Sequence, residues 1–484
     1  MQRHPVPSRQ RAPGPRRLRL SRRHHRRRPA QGLDRRTPSG RLLPYRTEEQ
    51  AKRPRRVGAR LVLRLLLVVV AAALGGLAVL VGAAAVSARP ALFLGAGLAV
   101  FLAVTAGGFA LATRRLPAPR RGRTRLVASA VAALGGVAVF VAGVLVPVGD
   151  PRLQPAPVAG QRWWQLPTGS RIAYVHLPAQ GARRPTPVVF LHGGPGVADM
   201  AGDAAYFGQL TEDGFDVWVY DQVGTGRSSR LADPRGYTIA RSVADLEAIR
   251  QRIGADRMVL LGHSYGGQVA ASYLATHPGH VAKVVFSSPG ALAPALDDGS
   301  EAEVRRRLPT GQKLGLYRLL VLPPRMLLAW TLLQVNPLAA HAFAGDAEMD
   351  ARNDRVYNAS RAGTHCRDLP PGPALHGQGF YAFQFPQSAA ALPWADPRPA
   401  LAHLATPALV LKGSCDYLSW KSGLAYRQTL PNARLVYLRH AGHNAYQDQP
   451  AAYLAVVRAF LTGRPLPIPP WTGSGVPADY QGPH

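Results

Sequence analysis

The chain has 484 residues, with 59 lysines and arginines against 27 acids and a formal net charge of +32. Such a charge invites nucleic acid as a partner, but it is unevenly placed: residues 1–150 hold 28 basic and 4 acidic residues, and the remainder is only +8. With no RNA- or DNA-binding motif in that remainder, nucleic-acid recognition is excluded as the leading reading.

Residues 1–60 carry twenty lysines and arginines against Asp34, Glu48 and Glu49, without apolar periodicity, and are expected to be a disordered cytoplasmic tail that meets anionic lipid headgroups. The Arg/Pro-rich composition of residues 1 to about 45 is also what a translated GC-rich leader would give. Three apolar stretches follow, about 61–86, 91–112 and 126–146, each long enough to cross a bilayer, and together they form a transmembrane anchor over 61–146. A cleaved signal peptide would be shorter and single. The 87–90 connection has only Arg89, whereas 113–125 has six arginines and no acid. Tail and second connection are therefore expected inside, and everything after residue 150 on the outer face of the cell membrane.

From about 160 the chain alternates short strands and helices, the pattern of a mostly parallel sheet covered on both faces. Strands are predicted near 171–177, 187–192, 216–221, 257–263, 282–287, 407–412 and 433–438, and helices near 238–253, 265–277, 420–430 and 449–462. The core thus covers 160–290 and 400–465. Between 291 and 399 the alternation stops, and a helical, proline-rich insertion is expected to cap the site. Residues 466–484, rich in proline and glycine, are expected to be a surface tail without a functional role.

Gly262-His263-Ser264-Tyr265-Gly266 directly follows the apolar run Met258–Leu261 and precedes a helical segment. A Gly-x-Ser-x-Gly pentad is weak alone, but a strand-to-helix turn there would present Ser264 as a nucleophile in strained backbone geometry, with no room for side chains at 262 and 266. The bland alternative is a tight turn with a bystander serine. After the strand Val188–Leu191 comes His192-Gly193-Gly194-Pro195-Gly196, a loop able to aim N–H groups at an oxyanion, so that Gly194 and Tyr265 are the expected donors. His192, Gly193, Asp221 and Arg227 are expected to support these loops. Asp416 follows the strand 407–412. His443 follows a glycine in a mobile-looking loop and is preferred to His440, which ends a strand. The catalytic set is then Ser264 as nucleophile, His443 as general base and Asp416 as its orienting acid.

No cofactor is called for. His365 and Cys366 are adjacent but lack spaced partners, so no metal site is expected. Cys366 and Cys415 both lie in the exported part, where a disulfide is permitted, but their spacing does not show that they meet; two free buried thiols are expected.

HGGPG at 192–196, DQVGTGRS at 221–228 and GHSYGG at 262–267, in that order, resemble the proline iminopeptidase branch of the α/β-hydrolase family over roughly residues 160–465. The resemblance implies an α/β-hydrolase fold, the triad Ser264, Asp416 and His443, an oxyanion hole from the 192–196 loop, and a helical cap that selects substrate. It implies a small-molecule or short-peptide substrate. One departure matters. Enzymes of that type recognise a free N-terminal amine with cap carboxylates near a tryptophan-glutamate pairing, and neither Trp330 nor Trp394 is followed by Glu. Acids in the cap include Glu301, Glu303, Asp346, Glu348, Asp350, Asp354 and Asp368. The same cap is rich in Leu, Ala and Val over 314–344, so a lid that lies on lipid and admits apolar esters is the alternative. A membrane-bound binding module without catalysis is a third reading.

Overall fold

The structure, a computed structural model, describes residues 48–147, 149–151, 153–299 and 302–483, with side chains from Gly58 onward. Residues 1–47, expected to be disordered, lie outside the described residues, as does Glu301. Two compact units divide at Arg60 and Leu61.

The first three helices are α1 (Glu48–Val86), α2 (Pro90–Ala112) and α3 (Ala118–Phe140), the last continued by a π-helical turn through Leu145. All three are long and apolar enough to cross a membrane, over 58–86, 90–112 and 118–145. Two boundaries differ from expectation. α1 begins at Glu48, within the segment expected to be disordered, and α3 begins at Ala118, so Arg120, Arg121, Arg123 and Arg125 lie on a helix rather than in a loop. Arginine is a good helix former, so charge alone does not stop a helix, and Pro119 sits in the first turn of α3, where proline is tolerated. α1 and α2 cross where Gly76 and Gly97 meet: a Cβ at either position would lie 2.8 Å from the other's carbonyl oxygen.

Eight strands follow, interleaved with helices, in one sheet of order β1-β2-β4-β3-β5-β6-β7-β8. They are β1 (Arg162–Gln165), β2 (Arg171–Leu177), β3 (Val188–Leu191), β4 (Val217–Tyr220), β5 (Met258–His263), β6 (Val281–Ser287), β7 (Ala408–Gly413) and β8 (Ala433–Leu438). Only the β1–β2 and β2–β4 pairings are antiparallel. The strand β1 was not expected; it is four residues long, at the sheet edge, and mostly exposed. The core helices are α4 (Met200–Phe207), α5 (Ile239–Ile253), α6 (Tyr265–Thr276), α13 (Arg398–Leu401), α14 (Trp420–Thr429), α15 (Ala445–Asp448) and α16 (Pro450–Thr462). Strand periodicity sorts the central side chains: Met258 and Leu260 pack with Leu246, Ile249, Val269 and Tyr273, whereas Val259 and Leu261 pack with Phe207, Tyr453, Val457 and Phe460. Both faces of β5 and β7 are therefore buried, which is why these strands read as continuous apolar runs.

The cap holds α7 (Glu303–Arg307), α8 (Thr310–Val321), α9 (Pro324–Val335), α10 (Pro337–Phe343), α11 (Asp346–Ser360) and α12 (Phe380–Gln384). Prolines 323, 324 and 337 set the joints, since the residue before a proline avoids helical geometry.

Two expectations are corrected. Cys366 and Cys415 form a disulfide, joining the cap to the loop after β7, with Cα atoms 5.2 Å apart; the fold brings together two cysteines that spacing alone could not pair. The C-terminal residues are not a loose tail. Trp471 donates its N–H to Leu435, Gln481 to Ser414, and Trp420 donates to Pro483, so the segment straps the loop between β7 and α14. Tyr480 is buried there against Trp420, an aromatic anchor that proline and glycine content conceals.

Candidate active site

β5 ends at His263, and the chain reverses into α6 through Ser264, whose φ of 53° and ψ of −117° leave the favoured regions. The turn is this tight because its neighbours are glycines. A Cβ at Gly262 would lie 2.3 Å from the Gly266 carbonyl oxygen, and one at Gly266 would lie 2.1 Å from that of Leu191. Gly193 is equally confined, with its Cβ position 3.0 Å from the Ser264 Cβ. Gly194 has a φ of 118°, which turns the HGGPG loop beside the serine.

Asp416 lies in the loop after β7 and His443 in the loop after β8, so both come from the carboxyl edge of neighbouring strands. The His443 Nδ1–H donates to Asp416 Oδ1 at 2.8 Å, leaving Nε2 free of that bond. The same Oδ1 accepts the Leu418 N–H at 3.1 Å. Oδ2 accepts from Lys412 Nζ at 2.7 Å, and that ammonium also donates to the Leu418 carbonyl and the Ser422 hydroxyl. Burial alone would raise the Asp416 carboxyl, but the Lys412 charge and the His443 ring, with the hydrogen bonds from both, hold it well below the usual carboxylate range. His443 is further fixed by its own N–H, which donates to the Thr364 carbonyl of the cap, and by Tyr417, whose ring lies 4.4 Å from the imidazole centroid.

His440 has its side chain 68% exposed, 3.7 Å from Asp368, away from Asp416. His192 is buried. Its Nδ1 donates to the Gly193 carbonyl and its Nε2 accepts the Gln222 N–H, and burial lowers it to about 4, so it stays neutral and ties the loop. Asp221 accepts the Arg227 N–H, and the Arg227 guanidinium donates to the Pro155 carbonyl. These contacts hold the 221–228 turn against the core.

Ser264, Tyr265, His443, Gly193 and Gly194 all line one cavity of about 1270 Å³ beneath the cap. Among the described cap acids, most are engaged elsewhere: Asp350 with Arg230, Glu348 with Arg325, Asp346 with His341, and Asp354 with the N–H groups of Gly377 and Gln378. Glu303 pairs with Arg306 and Asp368 with His440. The acids that do reach the cavity include Asp199 and Asp203, from the start of α4. Asp199 caps that helix through the Gly202 N–H, while Asp203 accepts from the Tyr446 hydroxyl and is raised by burial. Sequence reasoning missed these two because α4 is short and made largely of small residues. It missed Lys412 too, although a lysine inside the apolar run Ala408–Leu411 was a visible signal.

Metal ligation does not enter through Cys366, Asp368 and His440, which lie near one another, because the Cys366 sulfur is taken by the disulfide.

A parallel sheet with a strained serine turn at the end of its central strand, an acid and a histidine on the following edges, and a helical cap over them, defines the α/β-hydrolase class. The family model described as alpha/beta hydrolase fold matches residues 186–450, just over half of the chain, and the chain belongs to that family. The relatives it matches include proline iminopeptidases, and the chain spans less than half the length of several of them. A proline iminopeptidase of Heyndrickxia coagulans is 36% identical over 141 residues, 29% of this chain and 46% of that protein. One of Levilactobacillus brevis is 29% identical over 278 residues, 57% of this chain and 88% of the relative. Among solved structures, the proline iminopeptidase of Mycobacterium smegmatis overlays with a TM-score of 0.43 at 22% identity, covering 63% of this chain and 98% of that one.

Proposed function

We propose that the chain is a membrane-anchored serine hydrolase that works through an acyl-enzyme, as an aminopeptidase of the proline iminopeptidase type. The observation that carries the chemistry is the 2.8 Å His443–Asp416 bond at the wall of the cavity that Ser264 lines. His443 Nε2 takes the Ser264 proton as the serine oxygen bonds to the substrate carbonyl carbon. The oxyanion accepts N–H bonds from Gly194 and Tyr265. As the intermediate collapses, the bond to the leaving amine breaks and His443 gives that amine its proton. Water, deprotonated by His443, then attacks the acyl-serine, and Ser264 leaves with the proton. Asp416 fixes the imidazole tautomer and balances its charge.

Support for the peptidase assignment comes from the curated relatives and from Asp199 and Asp203, which offer an amine receptor on the core side of the cavity, with Asp297 and Asp396 of the cap also on its wall. The alternative, hydrolysis of apolar esters, is favoured by one observation: Val321, Leu327, Trp330 and Leu392 both line the cavity and stand exposed at its edge.

The test is turnover of prolyl- and alanyl-arylamides beside medium-chain nitrophenyl esters, with Ser264→Ala as control. An aminopeptidase loses arylamide turnover when the amine is acetylated or when Asp199 is changed to Asn. Ester turnover indifferent to both overturns the peptidase assignment, and a fluorophosphonate that still labels Ser264→Ala overturns the nucleophile.

A further inference from the structure

We propose that the mouth of the Ser264 cavity opens at the outer surface of the bilayer, where the bent pair α8–α9 rests in lipid and admits an acyl substrate whose apolar chain remains in the outer leaflet. The inference rests on the serine-hydrolase reading in its apolar-ester form, the alternative to the aminopeptidase, and adds the route by which such a substrate enters.

The two helices together are apolar enough to count as a membrane span, yet they bend by 72° at Leu322–Pro323 and so cannot cross as a rod. They form a wedge. On its outside Leu314, Tyr317, Val321, Leu322, Leu327 and Trp330 are between 41% and 69% exposed, a cluster of exposed large apolar side chains on one helix pair.

What covers that patch follows from where the wedge is fastened. The Arg325 guanidinium donates to the Val144 carbonyl in the last turn of the third span, at 2.8 Å. Asn336 donates to the Ala84 carbonyl near the end of the first span, also at 2.8 Å. Phe343 packs edge-on against Phe93 at the start of the second, 6.4 Å between centroids. All three attachments thus meet the same ends of the spans, the ends that the arginine distribution assigns to the outer face. A Cβ built on Gly143 would meet the Pro324 ring at 3.4 Å, and Leu327 and Trp330 follow Pro324 by about 5 and 9 Å of helix, so both stay within about 10 Å of that span end. The patch therefore lies at the depth where headgroups give way to acyl chains, and tryptophan is favoured there. Lys313 and Arg318 stand beside it and can reach anionic headgroups along their own stems.

The patch and the active site are continuous. Leu316, Leu320 and Met326 on the inner side of the wedge line the cavity with Ser264, and Val321, Leu327 and Trp330 form its lip. An acyl chain can pass from the leaflet to the serine without crossing water, which spares the cost of hydrating it.

The experiment uses the full chain in vesicles of phosphatidylcholine and phosphatidylglycerol. Leu322, exposed and outside the cavity lining, is changed to Cys and labelled with a polarity-sensitive fluorophore. Blue-shifted emission, quenched by nitroxide lipids in the outer leaflet, is expected; emission typical of water overturns the lipid contact. In parallel, 4-nitrophenyl palmitate dissolved in the vesicles is compared with 4-nitrophenyl butyrate in water. Leu322→Asp is expected to lower palmitate turnover by about tenfold, the worth of withdrawing one leucine from an apolar phase, and to leave butyrate turnover within about twofold. Equal losses on both, or none on palmitate, overturn the route of entry. Fluorophosphonate labelling of Ser264 in the same vesicles separates the two readings: absent labelling sinks the hydrolase mechanism, while the emission at position 322 still decides the contact.

Discussion

At the scale of single residues, the site is governed by lack of space and by one buried charge pair. Gly266→Ala would place a methyl 2.1 Å from a strand carbonyl, so the serine turn must open. Activity and fluorophosphonate labelling are expected to fall together by about a hundredfold or more, as reactive geometry is lost. Gly279→Ala, with nothing within 4 Å, is the control and should be indistinguishable from the parent. Lys412→Met removes the only side-chain ammonium bonded to Asp416 in a wholly buried position. Removing this counter-charge from a buried carboxylate, which keeps only the His443 and Leu418 bonds, is expected to cost about 3 kcal/mol at pH 7, read as a lower Tm. The sign with pH follows from the direction of the Asp416 shift. A depressed carboxyl contributes its full stability above its unfolded value, 3.8, and loses it as pH falls below that. The gap in Tm between Lys412→Met and the parent should therefore narrow at about pH 3, and a gap that stays constant refutes the role given to the pair. At this scale the sequence disclosed the serine, the two glycines and the loop histidine, because each follows a strand end at a motif position. Lys412, Asp199 and Asp203 were hidden, since their importance comes from what the fold places beside them.

Secondary-structure elements show the same division. The parallel strands were legible because burial on both faces demands apolar runs, and β5 through β8 fall within a residue or so of their expected limits. Edge strand β1 was not, since half-exposed Arg-Trp-Trp-Gln carries no such run. The C-terminal strap was misjudged for a related reason: three aromatic contacts outweigh a composition that looks like a loop. Tyr480→Ala empties the cleft against Trp420 and should lower stability by about 3 kcal/mol. Because the strap bonds Ser414 and Trp420 on either side of Asp416, kcat should fall with it while Ser264 remains labelled; unchanged kcat would show that the loop holds itself. The cap is likewise more than a cover. Its segment 364–366 accepts the His443 N–H at Thr364 and reaches Asp448 through His365 at 2.5 Å, so one stretch of insertion steadies the histidine loop.

Across the whole molecule, the three long apolar helices and the catalytic core are built as neighbours, with the cap fastened to the ends of those helices. If these helices span a membrane, the arginines of 113–125 are expected to set their orientation. Replacing Arg114, Arg115, Arg120 and Arg121 by neutral residues should let a fraction of chains insert reversed, measured by protection of the catalytic domain from external protease in intact cells. Full accessibility in that variant would mean that the tail alone sets the topology. The Cys366–Cys415 bond adds a consequence of a different kind. Joining two thiols requires that their electrons be accepted by an oxidant, which the cytosol does not maintain and the far side of the membrane does. A reversed chain would leave Cys415 reduced, next to Asp416, the carboxylate bonded to His443. Mass shift on thiol alkylation would then count correctly inserted molecules one by one, so the redox state of two sulfur atoms serves as a record of which way each polypeptide went through the membrane.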